Sequence, residues 1–150
     1  MSNVLVPELS VRDWQASLRF YCECLGFSCR YAREAEGFAF LEREGAALMI
    51  DQIGLGRDFD AGLADLRGPL GRGVNLQIRA TALAPICVAL EAKGVAYIVT
   101  PEERWYAIGG GMESGQRQVV IADPDGYLLR LYEELGARPA IACPDLPSPS

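Results

Sequence analysis

The chain contains no histidine in 150 residues. That absence removes the commonest general base and the commonest transition-metal ligand. It excludes Ser-His-Asp and Cys-His catalysis outright and leaves any metal to carboxylates, water or unusual thiolates. Long apolar runs are also missing. Nothing approaches the roughly 18 consecutive apolar residues of a membrane-spanning helix, so no membrane partner is expected. Met1-Ser2-Asn3-Val4 has no basic region ahead of an apolar stretch, so no secretory signal and a cytoplasmic location are expected. Positive charge is scarce: 14 Lys and Arg face 20 Asp and Glu, giving a net −6. Nucleic acid, whose phosphates need a basic face, is therefore not an expected partner, whereas a cationic ligand is compatible. The five cysteines (Cys22, Cys24, Cys29, Cys87, Cys143) are odd in number and form no Cys-x-x-Cys. They suit small buried thiols in a reducing compartment, not a disulfide frame or a zinc site.

Half of the residues are hydrophobic, enough for one domain with a sizeable core. The clearest local pattern is Val119 to Leu135, two strand-forming runs around Asp123-Pro124-Asp125-Gly126. Pro124 presets φ for a turn and Gly126 accepts positive φ, so a β-hairpin is expected. In its second strand Leu129 and Leu131 mark the core face. Arg130 then falls on the polar face with Leu128 and Tyr132, as a surface residue or as the lining of a cavity.

Earlier in the chain, Asn3 to Val11 reads as a strand, with Glu8 on the face of Val6. Asp13 is a fair N-cap for a helix carrying Trp14, Leu18, Tyr21, Cys22 and Leu25 at helical spacing, and Gly26 ends it. Strands are expected over 27–33, 37–42 and 46–51. The glycine-rich stretch 54–72 reads as a linker, with one helical turn near Ala61 to Leu66. The pattern then returns: a strand over 73–79, a helix from Ala82 to Lys93 capped by Thr81, a strand over 95–100, a loop or short strand holding Trp105 and Tyr106 before Gly109-Gly110-Gly111, and strands over 116–122 and 127–134. The fold class is α+β, two βαβββ repeats over 1–53 and 73–135 whose curved sheets should close around a shared concavity. Residues 136–150, rich in proline, are expected to form a loose tail.

Three segments carry a family resemblance. Pro7-Glu8-Leu9-Ser10-Val11-Arg12-Asp13, with Ser17-Leu18-Arg19-Phe20-Tyr21 and Leu25-Gly26-Phe27, is similar to the opening strand and helix of the vicinal oxygen chelate superfamily, which holds glyoxalase I, extradiol dioxygenases and bleomycin-resistance proteins. Residues 73–95 resemble its second opening. Asp123-Pro124-Asp125-Gly126-Tyr127-Leu128-Leu129-Arg130-Leu131 resembles its closing hairpin. Metalloenzymes of that superfamily hold their metal in the opening strand of each half and in the closing strand. Set against those motifs, the positions fall here on Val6, on Gly73 (or Asn75) and on Arg130. Valine and glycine offer no ligand atom, and a guanidinium repels a divalent ion. The resemblance therefore implies the bleomycin-resistance branch: a metal-free, cofactor-free binding protein, not an enzyme, that sequesters a bleomycin-type antibiotic or another planar cationic molecule. It also implies a homodimer with shared or swapped modules. The alternative is a glyoxalase-like lyase or isomerase with a carboxylate metal site that includes Glu8 and Asp51. A ligand-responsive regulator is a third reading.

The residues expected to line the ligand groove are Glu8, Phe38 and Phe40, or Met49 and Asp51, from the first half. The second half supplies Asn75, Gln77, Trp105, Tyr106, Arg130 and Tyr132. Aromatic walls suit planar or cationic groups, and the carboxylates suit positive charge.

Overall fold

The computed structural model describes residues 3–56 and 67–141. The helical turn expected near Ala61 to Leu66 lies outside them, as does Cys143. The first half contains β1 (Glu8–Val11), α1 (Trp14–Arg19), β2 (Ser28–Arg33), β3 (Phe38–Arg43) and β4 (Ala46–Gln52). The second contains β5 (Asn75–Arg79), α2 (Ala84–Ala92), β6 (Val99–Gly109), β7 (Met112–Ala122) and β8 (Leu128–Pro139). Each half forms its own four-stranded sheet, ordered β1-β4-β3-β2 and β5-β8-β7-β6. The opening strand of each half pairs parallel with the last strand of that half, and the other pairs are antiparallel. This is the expected α+β architecture of two βαβββ repeats.

Asp13 caps α1 as its spacing predicts, its Oδ1 accepting from the backbone N–H groups of Gln15 and Ala16 at 3.1 Å. The helix continues as a π-helical turn over Phe20–Cys24 that touches α2. Other boundaries differ from the expected ones. β1 starts at Glu8, so Val6 precedes it, and β5 starts at Asn75, so Gly73 precedes it. Thr81 does not cap α2, whose first turn begins after Leu83 with Pro85 inside it. β6 runs through the stretch expected to be a loop or a short strand, as one long strand. Pro101 falls where its pairing with β7 slips between Val99 and Glu102, a bulge where a missing N–H costs no ladder bond. β8 runs on to Pro139, past the expected start of the tail. Among the described residues four cysteines are free; of these Cys24 is buried as expected, Cys22 and Cys87 are half-buried, and Cys29 is exposed.

One face of each sheet packs into a common core. Leu9, Val11, Ala39, Leu41, Leu48 and Ile50 of the first sheet meet Ile78, Val119, Ile121, Leu129 and Leu131 of the second, with Tyr21, Leu25, Leu83 and Leu90 from the helical segments between them. The turn Asp123–Gly126 joins the halves. Asp123 Oδ2 accepts from Tyr21 Oη at 2.7 Å, and its Oδ1 accepts from the N–H groups of Asp125 and Tyr127. Asp125 accepts from the Arg12 backbone N–H at 2.9 Å and from Ser17 Oγ at 3.3 Å. Gly126, at φ 97°, sits so close to Pro69 that a Cβ would lie 2.5 Å from the proline side chain. No helix among the described residues is long and apolar enough to cross a membrane.

Candidate functional site: two open sheet faces

Because each sheet turns one face to the shared core, its other face turns away. Within one chain the halves therefore meet through their helix sides, and the expected closure of both sheets around one concavity is corrected. The first-half cavity, about 350 Å³, is lined by first-half residues alone: Glu8, Tyr31, Arg33, Glu36, Phe38, Met49 and Asp51. The second-half cavity, about 260 Å³, is lined by Gln77, Tyr106, Ile108, Ser114, Gln116 and Arg130.

The first-half face is aromatic and acidic. Register places Phe38 beside Asp51, Phe40 beside Met49, and Met49 beside Glu8, so all five expected residues share one face. Phe38 and Phe40 are buried, yet they stand apart from the main core. Tyr31 stacks on both, with ring centroids 6.0 and 5.4 Å away, and the Arg33 guanidinium lies 3.7 Å from the centre of the Phe38 ring. Glu36 pairs with Arg33 at 2.7 Å. Tyr31 and Arg33 were absent from the expected lining. Their signal was the alternation of 28–33, which places Tyr31 and Arg33 on one face.

The second-half face is polar. Alternation and register bring together Asn75 and Gln77 of β5, Arg130 and Tyr132 of β8, Gln116 and Gln118 of β7, and Glu102 and Tyr106 of β6. Arg130 stands opposite Gln77, not opposite Gly73 or Asn75. Gln118 donates through Nε2 to Glu102 Oε1 at 3.0 Å and to Tyr106 Oη at 2.8 Å. That bond, helped by Arg104 and Arg130, holds the Glu102 carboxyl below its ordinary value. Trp105 is not brought to this face. It pairs with Gly115 on the opposite side, its ring against the glycine and under the Arg138 guanidinium at 3.6 Å. Gln116, Gln118 and Glu102 were missed. The polar alternation Ser114, Gln116, Gln118 beside the apolar Val119 and Ile121 was the available signal.

This donor set does not suit a hard divalent ion, because Arg130, a permanent cation, stands in the middle of it. Among the described residues no group of three or more Cys, Asp or Glu is placed to hold a metal.

The family model of the Glyoxalase/Bleomycin resistance protein/Dioxygenase superfamily matches residues 4–131, and the chain belongs to that superfamily. Solved structures share its fold. TioX from Micromonospora sp. ML1 is similar at 17% identity, covering 87% of this chain and 98% of that one, with a TM-score of 0.65. A virulence protein from Salmonella typhimurium is 22% identical over 89% and 97% of the two chains, with a TM-score of 0.63. TnmS3, an antibiotic binding protein from Streptomyces sp. CB03234, is 22% identical over 89% and 98%, with a TM-score of 0.56. No curated protein matches the chain.

Proposed function

We propose that this protein binds and sequesters a small molecule, a bleomycin-type antibiotic or another planar cationic compound, without a metal and without breaking a bond. The observation that carries this reading is the first-half face, where Tyr31, Phe38 and Phe40 form an aromatic wall beside Glu8 and Asp51. Flat polarisable rings suit stacking, and adjacent carboxylates suit positive charge. Arg130, in the closing strand where the superfamily's metalloenzymes carry a carboxylate, supports binding over metal chemistry. An antibiotic binding protein among the structural neighbours supports a small-molecule ligand. Each open face is half a cleft. We propose that the first-half face of one copy closes over the second-half face of another in a two-fold dimer.

Calorimetric titration with metal-free bleomycin tests the reading. Binding is expected with and without chelator, with the ligand recovered unchanged by mass spectrometry. Absence of binding overturns the bleomycin assignment. Near-stoichiometric divalent metal in the purified protein, lost in Glu8→Gln, overturns the metal-free reading in favour of a glyoxalase-like enzyme.

A further inference from the structure

The second-half cleft contains a hydrogen-bonding pattern that the described residues leave incomplete. Arg130 Nε, Gln116 Oε1 and Gln118 Oε1 are shielded from solvent and have no hydrogen-bond partner among the described residues. All three belong to side chains on one face of β7 and β8, and Gln116 and Arg130 line the same cavity. Buried polar groups are almost always paired, so three such atoms on one face point to a partner that the described residues do not supply.

The chemistry of that partner follows from what each atom demands. Gln118 is only 3% exposed, and its amide orientation is fixed. Its Nε2 donates to the Glu102 carboxylate, which can only accept, and also to Tyr106 Oη. Its Oε1 is therefore left as an acceptor waiting for an N–H or O–H, on the strand face that carries Gln116 and Arg130 beside the cleft. Arg130 Nε makes the opposite demand, since it can only donate. Gln116 is held by no such bond, and its amide serves either role by turning over. The cleft thus asks for one group that offers an acceptor and a donor together.

Charged groups answer only half of this. A carboxylate pairs with Arg130 but sets its charge near Glu102 and gives Gln118 Oε1 nothing. An ammonium satisfies Gln118 Oε1 and suits Glu102 but leaves Arg130 Nε without an acceptor and faces a like charge. A neutral primary carboxamide meets every demand: its C=O accepts from Arg130 Nε, and its N–H groups donate to Gln118 Oε1 and Gln116 Oε1. We propose that this cleft is a carboxamide-recognition subsite, which takes the neutral amide end of a ligand whose planar part lies on the aromatic first-half face of a second copy. This rests on reading the cleft as a ligand site.

The test uses three matched probes, naphthalene-2-carboxamide, 2-naphthoate and 2-naphthylmethylammonium, titrated into the full ¹⁵N-labelled chain. The carboxamide is expected to bind at least about tenfold more tightly than either charged probe, because a site built around paired donors and acceptors rejects analogues that lack them. It is also expected to shift the Arg130 Nε–H and Gln118 side-chain amide signals. Arg130→Met should abolish the preference. If that variant does not fold, Arg130→Lys keeps the charge, loses the Nε–H and should do the same. Equal affinities, preference for a charged probe, or unmoved side-chain signals, as expected for a cleft that holds only water, overturn the subsite. If bleomycin still binds while the amide preference is absent, this inference alone falls. If none of the four compounds binds, both it and the proposed function fall.

Discussion

Asp123 shows how much depends on a single carboxylate. Burial pushes its pKa up, and the bonds from Tyr21 Oη and from two backbone N–H groups only partly oppose that shift. Asp123→Ala removes the acceptor and leaves these three donors unpaired next to the core. At roughly 1–3 kcal/mol for each stranded buried group, a loss of about 3 kcal/mol or more is expected. Asp123→Asn keeps an oxygen for the backbone donors and lacks the charge that burial penalises, so its midpoint in urea should lie well above that of the alanine variant. Urea denaturation of the two variants beside the parent protein checks the order. Equal stability of parent and alanine variant would remove the turn from its structural role. Reading Asp-Pro-Asp-Gly as a turn was within reach of the sequence, because Pro124 and Gly126 impose it locally. The burial of both aspartates was not, because their partners Arg12, Ser17 and Tyr21 lie more than a hundred residues earlier. A surface turn and an interlocking one are written with the same letters.

Elements were legible where periodicity met a single buried face. Leu129 and Leu131 face the core and Arg130 faces the cleft, as alternation demands. Phe38 and Met49 fall on one face for the same reason. The length of β6 was not legible, since Pro101 and three glycines leave a loop and a short strand equally open locally and only pairing with β7 decides between them. That pairing decides which way Trp105 points. An ideal Cβ on Gly115 would lie 2.7 Å from the Trp105 ring, so Gly115→Ala is expected to push the indole off the strand and away from Arg138. A red shift in its emission, measured in a Trp14→Phe background because Trp14 is buried, checks this. An unchanged spectrum would place Trp105 elsewhere. The turn between β7 and β8 carries a pH-dependent contact as well. Tyr127 Oη donates to the Ser10 carbonyl of β1 at 2.8 Å, and burial pushes its pKa up to about 12 from an ordinary 10.0. A raised pKa means that the folded state favours the protonated phenol. The stabilisation is complete below pH 10 and is lost as pH rises towards about 12. Thermal melts across that window should show the parent losing stability faster than Tyr127→Phe, which has no proton there to lose. Parallel curves would contradict the assignment.

At the scale of the whole molecule, the second half extends beyond the core. Between Glu102 and Gln116 the β6–β7 hairpin, extended by β8 to Pro139, carries no residue of the buried cluster. Its tip nevertheless bears Tyr106 and Ile108, the latter 59% exposed. A ribbon that reaches past the core with only partly covered faces gains little from its own packing, since sheet stability needs a covered apolar face. The first-half face has a complementary character: an aromatic wall beside Glu8 and Asp51 over which no other sheet packs among the described residues. In the proposed dimer each face would cover the other, and because every chain carries both surfaces the exchange can be made twice in a closed two-fold pair. Sedimentation at micromolar concentration is therefore expected to give twice the chain mass of 16.3 kDa. Ile108→Glu places a charge in each of two equivalent contacts and should weaken association by at least about tenfold, or about 1.4 kcal/mol. The stability of the isolated chain should stay unchanged, because Ile108 touches no part of its core. Ligand affinity should fall in parallel with dimer affinity if the cleft needs both copies. A monomer that binds ligand with undiminished affinity would show instead that each open face is a complete site.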